Sequence, residues 1–295
     1  MSSLTFGKVF YLARQTQRRL LSGNSGCPNC GSRRFVKMDA KAILIELREC
    51  QDCRLFYRFP TDSVEDNRAF YQKAYKQGVT TDLPDAATLA RLKETGFTGH
   101  EKSYAGLIEL LERLGVKRGA RVFDYGCSWG FGSWQFSQAG YSVSAFEISV
   151  HRAAYGRMNL DIDCIDSLDQ IESRTDLERS FDAFFSNHVI EHVPSPAKVI
   201  GLARHLAKPG GLFIAVTPNG SLDFRGVAPR SWHQLWGKVH PNLISDTFWA
   251  TAFRDCDHFI GALPSAVSSV EAWAAGGGKI RTEQRDPELL CVARL

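Results

Sequence analysis

The sequence predicts an α/β protein, a doubly wound parallel sheet with a small four-cysteine ribbon in front of it. Three observations carry this. Arg121 to Ala139 runs from an apolar strand (Val122-Phe123, ending in Asp124) through a turn of small residues (Gly126, Cys127, Ser128, Gly130, Gly132) into a helix, the opening unit of a nucleotide-binding fold. From there to Ala293, apolar runs alternate with helical segments, the pattern of crossover-connected parallel strands. Ahead of them stand Cys27-Pro-Asn-Cys30 and Cys50-Gln-Asp-Cys53, a C-x2-C-x19-C-x2-C arrangement.

Taken in order, residues 4–21 read as a basic amphipathic helix on which Phe6, Val9, Phe10, Ala13 and Leu20 share one face, with Ser22 to Gly26 ending it. The cysteine pairs follow in a ribbon over 26–60. Each C-x-x-C turn points two sulfurs at one ion, and two such turns complete a tetrahedral structural zinc site held by Cys27, Cys30, Cys50 and Cys53, with no open position for catalysis. Ile43 to Arg48 between the pairs is strand-like. Residues 61–99 read as a helical linker or lid: a helix over 64–76 carries Phe70, Tyr71 and Tyr75, and Thr80 to Gly99 is polar and loop-like, broken at Pro84. The main domain spans 100–295. It begins with a helix ending at Leu114, whose Leu107, Leu110, Leu111 and Leu114 recur at helical spacing. Further strands are expected at 141–146, 161–165, 181–185, 211–216, 258–263 and 289–293, with helices at 150–160, 197–207 and about 265–275. Phe181 to Phe185 is apolar at both parities except Asp182, as in a central parallel strand.

Composition agrees with a globular chain: 295 residues, 44% hydrophobic and 23% charged. No apolar run approaches the about 18 residues of a membrane span, and the first residues lack a signal-peptide core, so a cytoplasmic location is expected. The net charge of +4 is uneven: residues 1–60 carry 11 Lys/Arg and 4 Asp/Glu, the remainder 25 and 28. A basic front end suits a polyanion or an anionic membrane surface, or only the thiolate charge of a bound zinc ion.

Glu147 lies 23 positions after Asp124, at the end of the next strand, where an acid binds a ribose cis-diol through two hydrogen bonds. With it, D-x-G-x-x-x-G (Asp124, Gly126, Gly130), Ser186-Asn-His-Val-Ile-Glu-His-Val-Pro194 and Leu206-Ala-Lys-Pro-Gly-Gly-Leu-Phe213 fall in order over residues 100–295. This sequence resembles the class I S-adenosylmethionine-dependent methyltransferases, especially the branch near the ubiquinone-biosynthesis O-methyltransferases. Its layout is similar to bacterial methyltransferases of natural-product sugars that carry a small zinc module in front. The resemblance implies a Rossmann-like sheet binding S-adenosylmethionine at Asp124, Gly126, Gly130 and Glu147, with Asp166 and Ser167 against the adenine and a tyrosine-rich lid. Ser128 stands where the commonest family form has a third glycine, and fits if its φ is negative.

Ligands of open α/β sheets bind beyond the carboxyl ends of the strands, so Asn187 and His188 are expected at the methionine end of the cofactor. His188, Glu191 and His192 form H-x-x-E-H, an inverted zinc-protease signature. That motif needs a long helix, whereas here it leaves a strand and stops at Val193-Pro194. Three roles stay open. His188, Glu191 and His192, with the later His240, suit a divalent metal, a layout that looks like the E-x-x-E-H metal site of small-RNA 2′-O-methyltransferases. His192 or His240 suits a general base that takes a hydroxyl proton. His192 also suits a purely structural cap. The long insertion from Pro218 to Asn242 holds Trp232, His233, Trp236 and His240 near Arg225 and Arg230. It fits either a grip on a sugar or base with an attached phosphate, or a plain anchor on the domain. The expected activity is methyl transfer, O-directed, onto a sugar, glycan or other small hydroxylated metabolite. The rivals are an RNA methyltransferase, which predicts steeply salt-dependent affinity, and a non-enzymatic zinc-ribbon protein that binds a protein partner.

Overall fold

The computed structural model describes Thr16, Arg19 and residues 26–42, 44–61 and 82–295. The expected helices at 4–21 (apart from Thr16 and Arg19) and 64–76 lie outside the described residues.

The ribbon is a sheet of β1 (Phe35–Lys41), β2 (Ile45–Cys50) and β3 (Phe56–Phe59), all antiparallel. Its fourth strand comes from the far end of the insertion: β9 (Asn242–Leu243) pairs with β3. Neither β1 nor β9 was visible in the sequence pattern.

The main sheet has eight strands in the order β11-β10-β12-β8-β7-β4-β5-β6. They are β4 (Arg121–Tyr125), β5 (Ser142–Phe146), β6 (Asp163–Ile165), β7 (Phe181–Asn187), β8 (Ala207–Pro218), β10 (His258–Leu263), β11 (Lys279–Arg281) and β12 (Glu288–Arg294). β4 to β8 run parallel, and β12 runs antiparallel between β8 and β10. The chain starts at β4, winds outward to β5 and β6, then returns to the other side of β4 for β7 and β8. The switch point therefore lies between β4 and β7, and open α/β sheets bind ligands in the crevice beyond the carboxyl ends of the strands at such a point.

Side chains of successive strand residues enter opposite layers. Phe123, Phe184, Phe213 and Ala215 join one core, while Val122, Ala183, Phe185, Ile214 and Val216 join the other. This is the two-sided burial that makes a central parallel strand apolar throughout. The first layer is closed by α6 (Pro196–Leu206) and α9 (Asp246–Ala252), the second by α2 (Ala105–Arg113) and α10 (Val267–Gly276). α3 (Phe131–Gln138) and α4 (Val150–Leu160) flank β4 and β5.

One stretch departs from expectation. Within the supposedly loop-like 82–99, residues Ala86–Glu94 form a helix, α1. Asp85 caps it, its side chain accepting from Thr88 N at 2.7 Å, and Leu89 and Leu92 bury against Trp129. With only two buried apolar positions, its periodicity was too short to stand out from the polar background. Among the described residues no helix is long and apolar enough to cross a membrane.

Candidate functional site

The crevice at the switch point is built from the turn after β4. Gly126 has φ +86°, and a Cβ there would sit 2.4 Å from a methyl of Val189, so only glycine fits. Ser128 overturns its expectation: its φ is +54°, in the left-handed region that glycine favours. The strain is tolerated because its N–H donates to Glu147 Oε2 at 3.0 Å, while its hydroxyl is buried with no partner among the described residues. Ser128→Gly is therefore expected to stabilise the protein by about 0.5–1 kcal/mol, because relief of strain exceeds the extra freedom of the unfolded chain. A thermal melt checks it, and an unchanged or lower midpoint would count against a strained serine.

Glu147 is 6% exposed and faces this turn. Its two oxygens accept from Ser128 N and from Ser149 N at 2.8 Å, leaving one further lone pair on each for a vicinal diol. Burial raises its pKa, opposed by those N–H donors and Arg152. Asp124 lies deeper, 2% exposed, and accepts from Ser133 Oγ at 2.6 Å. Burial, assisted by the Glu147 charge and opposed by Ser133, pushes its pKa up to about 7. The folded protein thus holds this proton more tightly than the unfolded chain. Its stabilising contribution is complete below the ordinary carboxyl value and is lost as pH rises through 7, about 4 kcal/mol in all for the ligand-free protein. Asp124→Asn should remove that loss, which shows as a wild-type-minus-variant stability difference that changes between pH 4 and 7. A pH-independent difference would refute the assignment.

Asp166 accepts from Arg157 at 3.0 Å and from Gln170 at 3.2 Å at the end of β6, on the same side of the sheet. Asn187 ends β7 with its side chain beside the hydroxyl of Tyr104. Tyr104 was not anticipated: its ring lies on Gly132, where a Cβ would come within 2.2 Å, and no spacing in the sequence signals it.

His188, expected at the methionine end of the cofactor, is held at φ +54°, with its ring Nε2 2.9 Å from Glu288 and Nδ1 3.5 Å from Glu191. Burial disfavours its charge, but the two carboxylates outweigh this and raise its pKa to about 10. His188, His240 and Glu288 line a cavity of about 490 Å³ with Pro218, Leu235, Leu263, Pro264 and Pro287. Glu288 too was missed, being one acid at the start of a late strand.

Beside this cavity His192 and His240 meet, ring centroids 4.6 Å apart. His192 Nδ1 lies 2.9 Å from Val239 O, and His240 Nδ1 2.6 Å from Leu235 O. A carbonyl only accepts, so both Nδ1 atoms carry the hydrogen and both Nε2 atoms present lone pairs when neutral. Burial and then His192 lower the His240 pKa. Among the described residues Glu191, 1% exposed, has no hydrogen-bond donor on either carboxylate oxygen, and its ion-pair partners are His188 Nδ1 at 3.5 Å and His192 Nε2 at 3.7 Å. Ligand atoms of Glu191, His192 and His240 all fall within 4.8 Å of one another. Two imidazole nitrogens, each on a ring fixed by a backbone carbonyl, and a buried carboxylate fit a divalent ion. Of the expected set of His188, Glu191, His192 and His240, the last three converge in this way.

Trp232 and Trp236, expected either to grip a substrate or to anchor the insertion, are anchors. They are 1% and 2% exposed in one core with Ile45, Leu47 and Phe56 of the ribbon. Arg225 lies over the Trp232 ring and donates to Met38 O, and neither it nor Arg230 lines the cavity.

The four ribbon cysteines converge, Cys27 Sγ 3.6 Å from Cys53 Sγ and Cys30 Sγ 3.5 Å from Cys50 Sγ. A tetrahedral site with Zn–S bonds of about 2.3 Å requires roughly 3.8 Å between sulfurs, so the four thiols fit zinc.

With this geometry in place, comparison with known proteins places the chain. A family model described as "Methyltransferase domain" matches residues 99–257, more than half of the sequence. The chain belongs to this methyltransferase family. It is 32% identical over 108 residues to the ubiquinone biosynthesis O-methyltransferase of Xylella fastidiosa (strain 9a5c), covering 35% of this chain and 44% of that protein. To the corresponding protein of Xanthomonas campestris pv. campestris (strain B100) it is 31% identical over 105 residues, covering 34% and 44%. The match thus spans less than half the length of these relatives. Among solved structures it is similar to the geranyl diphosphate C-methyltransferase from Streptomyces coelicolor A3(2), in complex with Mg2+, geranyl diphosphate and S-adenosyl-L-homocysteine. The TM-score is 0.52 at 15% identity, covering 77% of this chain and 97% of that one. A geranyl diphosphate methyltransferase in complex with GPP and sinefungin gives 0.51 at 17% identity, covering 78% and 98%. These two similarities establish the shared fold of the methyltransferase family.

Proposed function

We propose that this chain is an S-adenosylmethionine-dependent O-methyltransferase acting on a small hydroxylated acceptor. The observation that carries the reading is the adjacency of two sites: a buried carboxylate facing a glycine turn at the switch point, and a cavity edged by imidazoles beside it. Glu147 would hold the ribose diol, the turn from Gly126 to Gly130 would admit the amino-acid end, and Asp166 and Asn187 would flank the adenine and the methionine. The bound cofactor supplies a methyl group activated by its sulfonium. His240 would then serve as the base: it borders the cavity, Leu235 O holds its Nδ1–H, and its Nε2 lone pair would take the acceptor's hydroxyl proton as the oxygen bonds to the methyl carbon and the methyl–sulfur bond breaks, its electron pair staying on sulfur. His192 supports it from the side.

Among the described residues, five of the eight that line the cavity are apolar and none is lysine or arginine. This favours a hydroxylated molecule with an apolar flank over a phosphorylated sugar or a nucleic acid strand. The ribbon's apolar surface is covered by the insertion, which weighs against a free module for RNA or a protein partner.

A second reading is favoured by the convergence of Glu191, His192 and His240: a divalent ion on these three residues that would hold the acceptor oxygen. Titration with Mn2+ and Zn2+, comparing wild type with Glu191→Gln, separates the two. The main test is calorimetric titration with S-adenosylmethionine and S-adenosylhomocysteine, followed by a screen of phenolic, sugar and glycan acceptors for methyl incorporation. Binding with a dissociation constant on the order of micromolar is expected. Folded, zinc-loaded protein that binds neither would end the enzyme reading.

A further inference from the structure

The ribbon is joined to the acceptor site by two asparagines. Asn242, two residues past His240, is 2% exposed and belongs to β9, where it pairs with Tyr57 of β3. Its N–H donates to Glu191 O at 3.2 Å, and its side-chain amide donates to Val193 O at 2.6 Å. One residue thus touches the ribbon sheet and both ends of the turn that carries His192. Next to it, Arg58 N of β3 donates to Pro241 O at 2.7 Å. Asn29 sits inside the first cysteine pair. Its side-chain oxygen accepts from Ala197 N at 2.7 Å and from Ser195 Oγ at 3.5 Å, where α6 begins just beyond Pro194. Cys27 and Cys50 share an apolar cluster with Ile190 of the same turn. On the insertion side, Asp39 of β1 holds His233 and Trp236, flanking the Leu235 carbonyl that fixes His240.

Among the described residues the cofactor turn has no such hydrogen-bonded tie to the ribbon. The bonds of Asp124, Ser128 and Glu147 run to Ser133, Ser149 and one another. A ribbon this small buries too little apolar surface to hold its shape unaided, so ion binding at its thiolates is where its folding energy comes from. That energy is passed to whatever is paired with its strands.

We propose that the four-cysteine module is the rear wall of the acceptor site: an ion held by Cys27, Cys30, Cys50 and Cys53 positions His192 and His240 through Asn242 and Asn29, and leaves the cofactor pocket alone. The ribbon is then part of the catalytic architecture rather than a docking module, and Asn242 is a positioning residue. This rests on the acceptor-site reading above.

The test uses the full-length protein, zinc-loaded, zinc-stripped by a chelator, and as Asn242→Ala with zinc retained. Amide hydrogen exchange, S-adenosylhomocysteine affinity and the nitrogen-15 imidazole signals of His192 and His240 are read on each. Stripping zinc should lower protection over 188–197 and 235–244 by about tenfold or more, while protection over 121–147 holds and affinity stays within about threefold. Asn242→Ala should reproduce the local loss at full zinc content, and the Nδ1–H tautomer should lose its fixed signal on both rings. Unchanged protection over 188–197 in the stripped protein would overturn the proposal. So would loss spread over 121–147, since the ion would then staple the whole fold. Wild type that binds no S-adenosylhomocysteine while the local exchange pattern appears would leave the coupling standing and remove the enzymatic reading instead.

Discussion

Glu147→Ala is expected to weaken S-adenosylmethionine binding by roughly 100-fold or more. A diol held by both oxygens of a buried carboxylate makes two charge-assisted hydrogen bonds, each contributing about 1.5–3 kcal/mol. The alanine variant loses both, and it also strands Ser128 N and Ser149 N without their acceptor, loosening the turn that must meet the ligand. Glu147→Gln keeps the volume but turns an NH2 group toward one of those N–H donors, so an intermediate loss is expected. Calorimetry on variants of matched thermal midpoint checks both. An alanine variant that binds within about threefold of wild type would move the ribose elsewhere and leave Glu147 as a brace for Ser128.

His240→Ala is expected to lower the turnover number by about 10²–10⁴ with cofactor affinity unchanged, the range for losing a positioned base. The reason is geometric: His240 borders the cavity, its Nδ1–H is engaged by Leu235 O, and Nε2 is left to accept a proton. The rate should fall on the acid side, where protonation fills that lone pair. Because burial and then His192 lower the His240 pKa, this limb should lie below the ordinary imidazole value of 6.5. Activity that vanishes on mild chelation and returns with Mn2+ would assign His240 to a metal ion instead. Full activity in the variant would place the chemistry on His192 or on alignment alone.

Much of the fold was written in local pattern. The alternation of apolar runs with helical periodicity places β4 to β8, because a strand buried on both faces has no choice but to be apolar. The turn from Gly126 to Gly130 and Glu147 are set by backbone conformation and by burial at fixed offsets along one unit, and both came through in the sequence. The cysteine pairs did too, since two C-x-x-C turns need only each other to make a site. What required the tertiary structure were relations between residues far apart in the chain. Ser128 takes a positive φ because Glu147 and the folded turn hold it there, against its own preference. His188 meets Glu288 because β12 returns beside β8 and brings that acid to the cavity. The two tryptophans of the insertion are buried by ribbon strands, and β9 is two residues long, too short for any periodicity to announce. His192 and His240 become neighbours where that short strand meets the turn after β7, through Asn242 and the bond of His192 to Val239 O, contacts set by packing and hydrogen-bond satisfaction rather than by spacing along the chain.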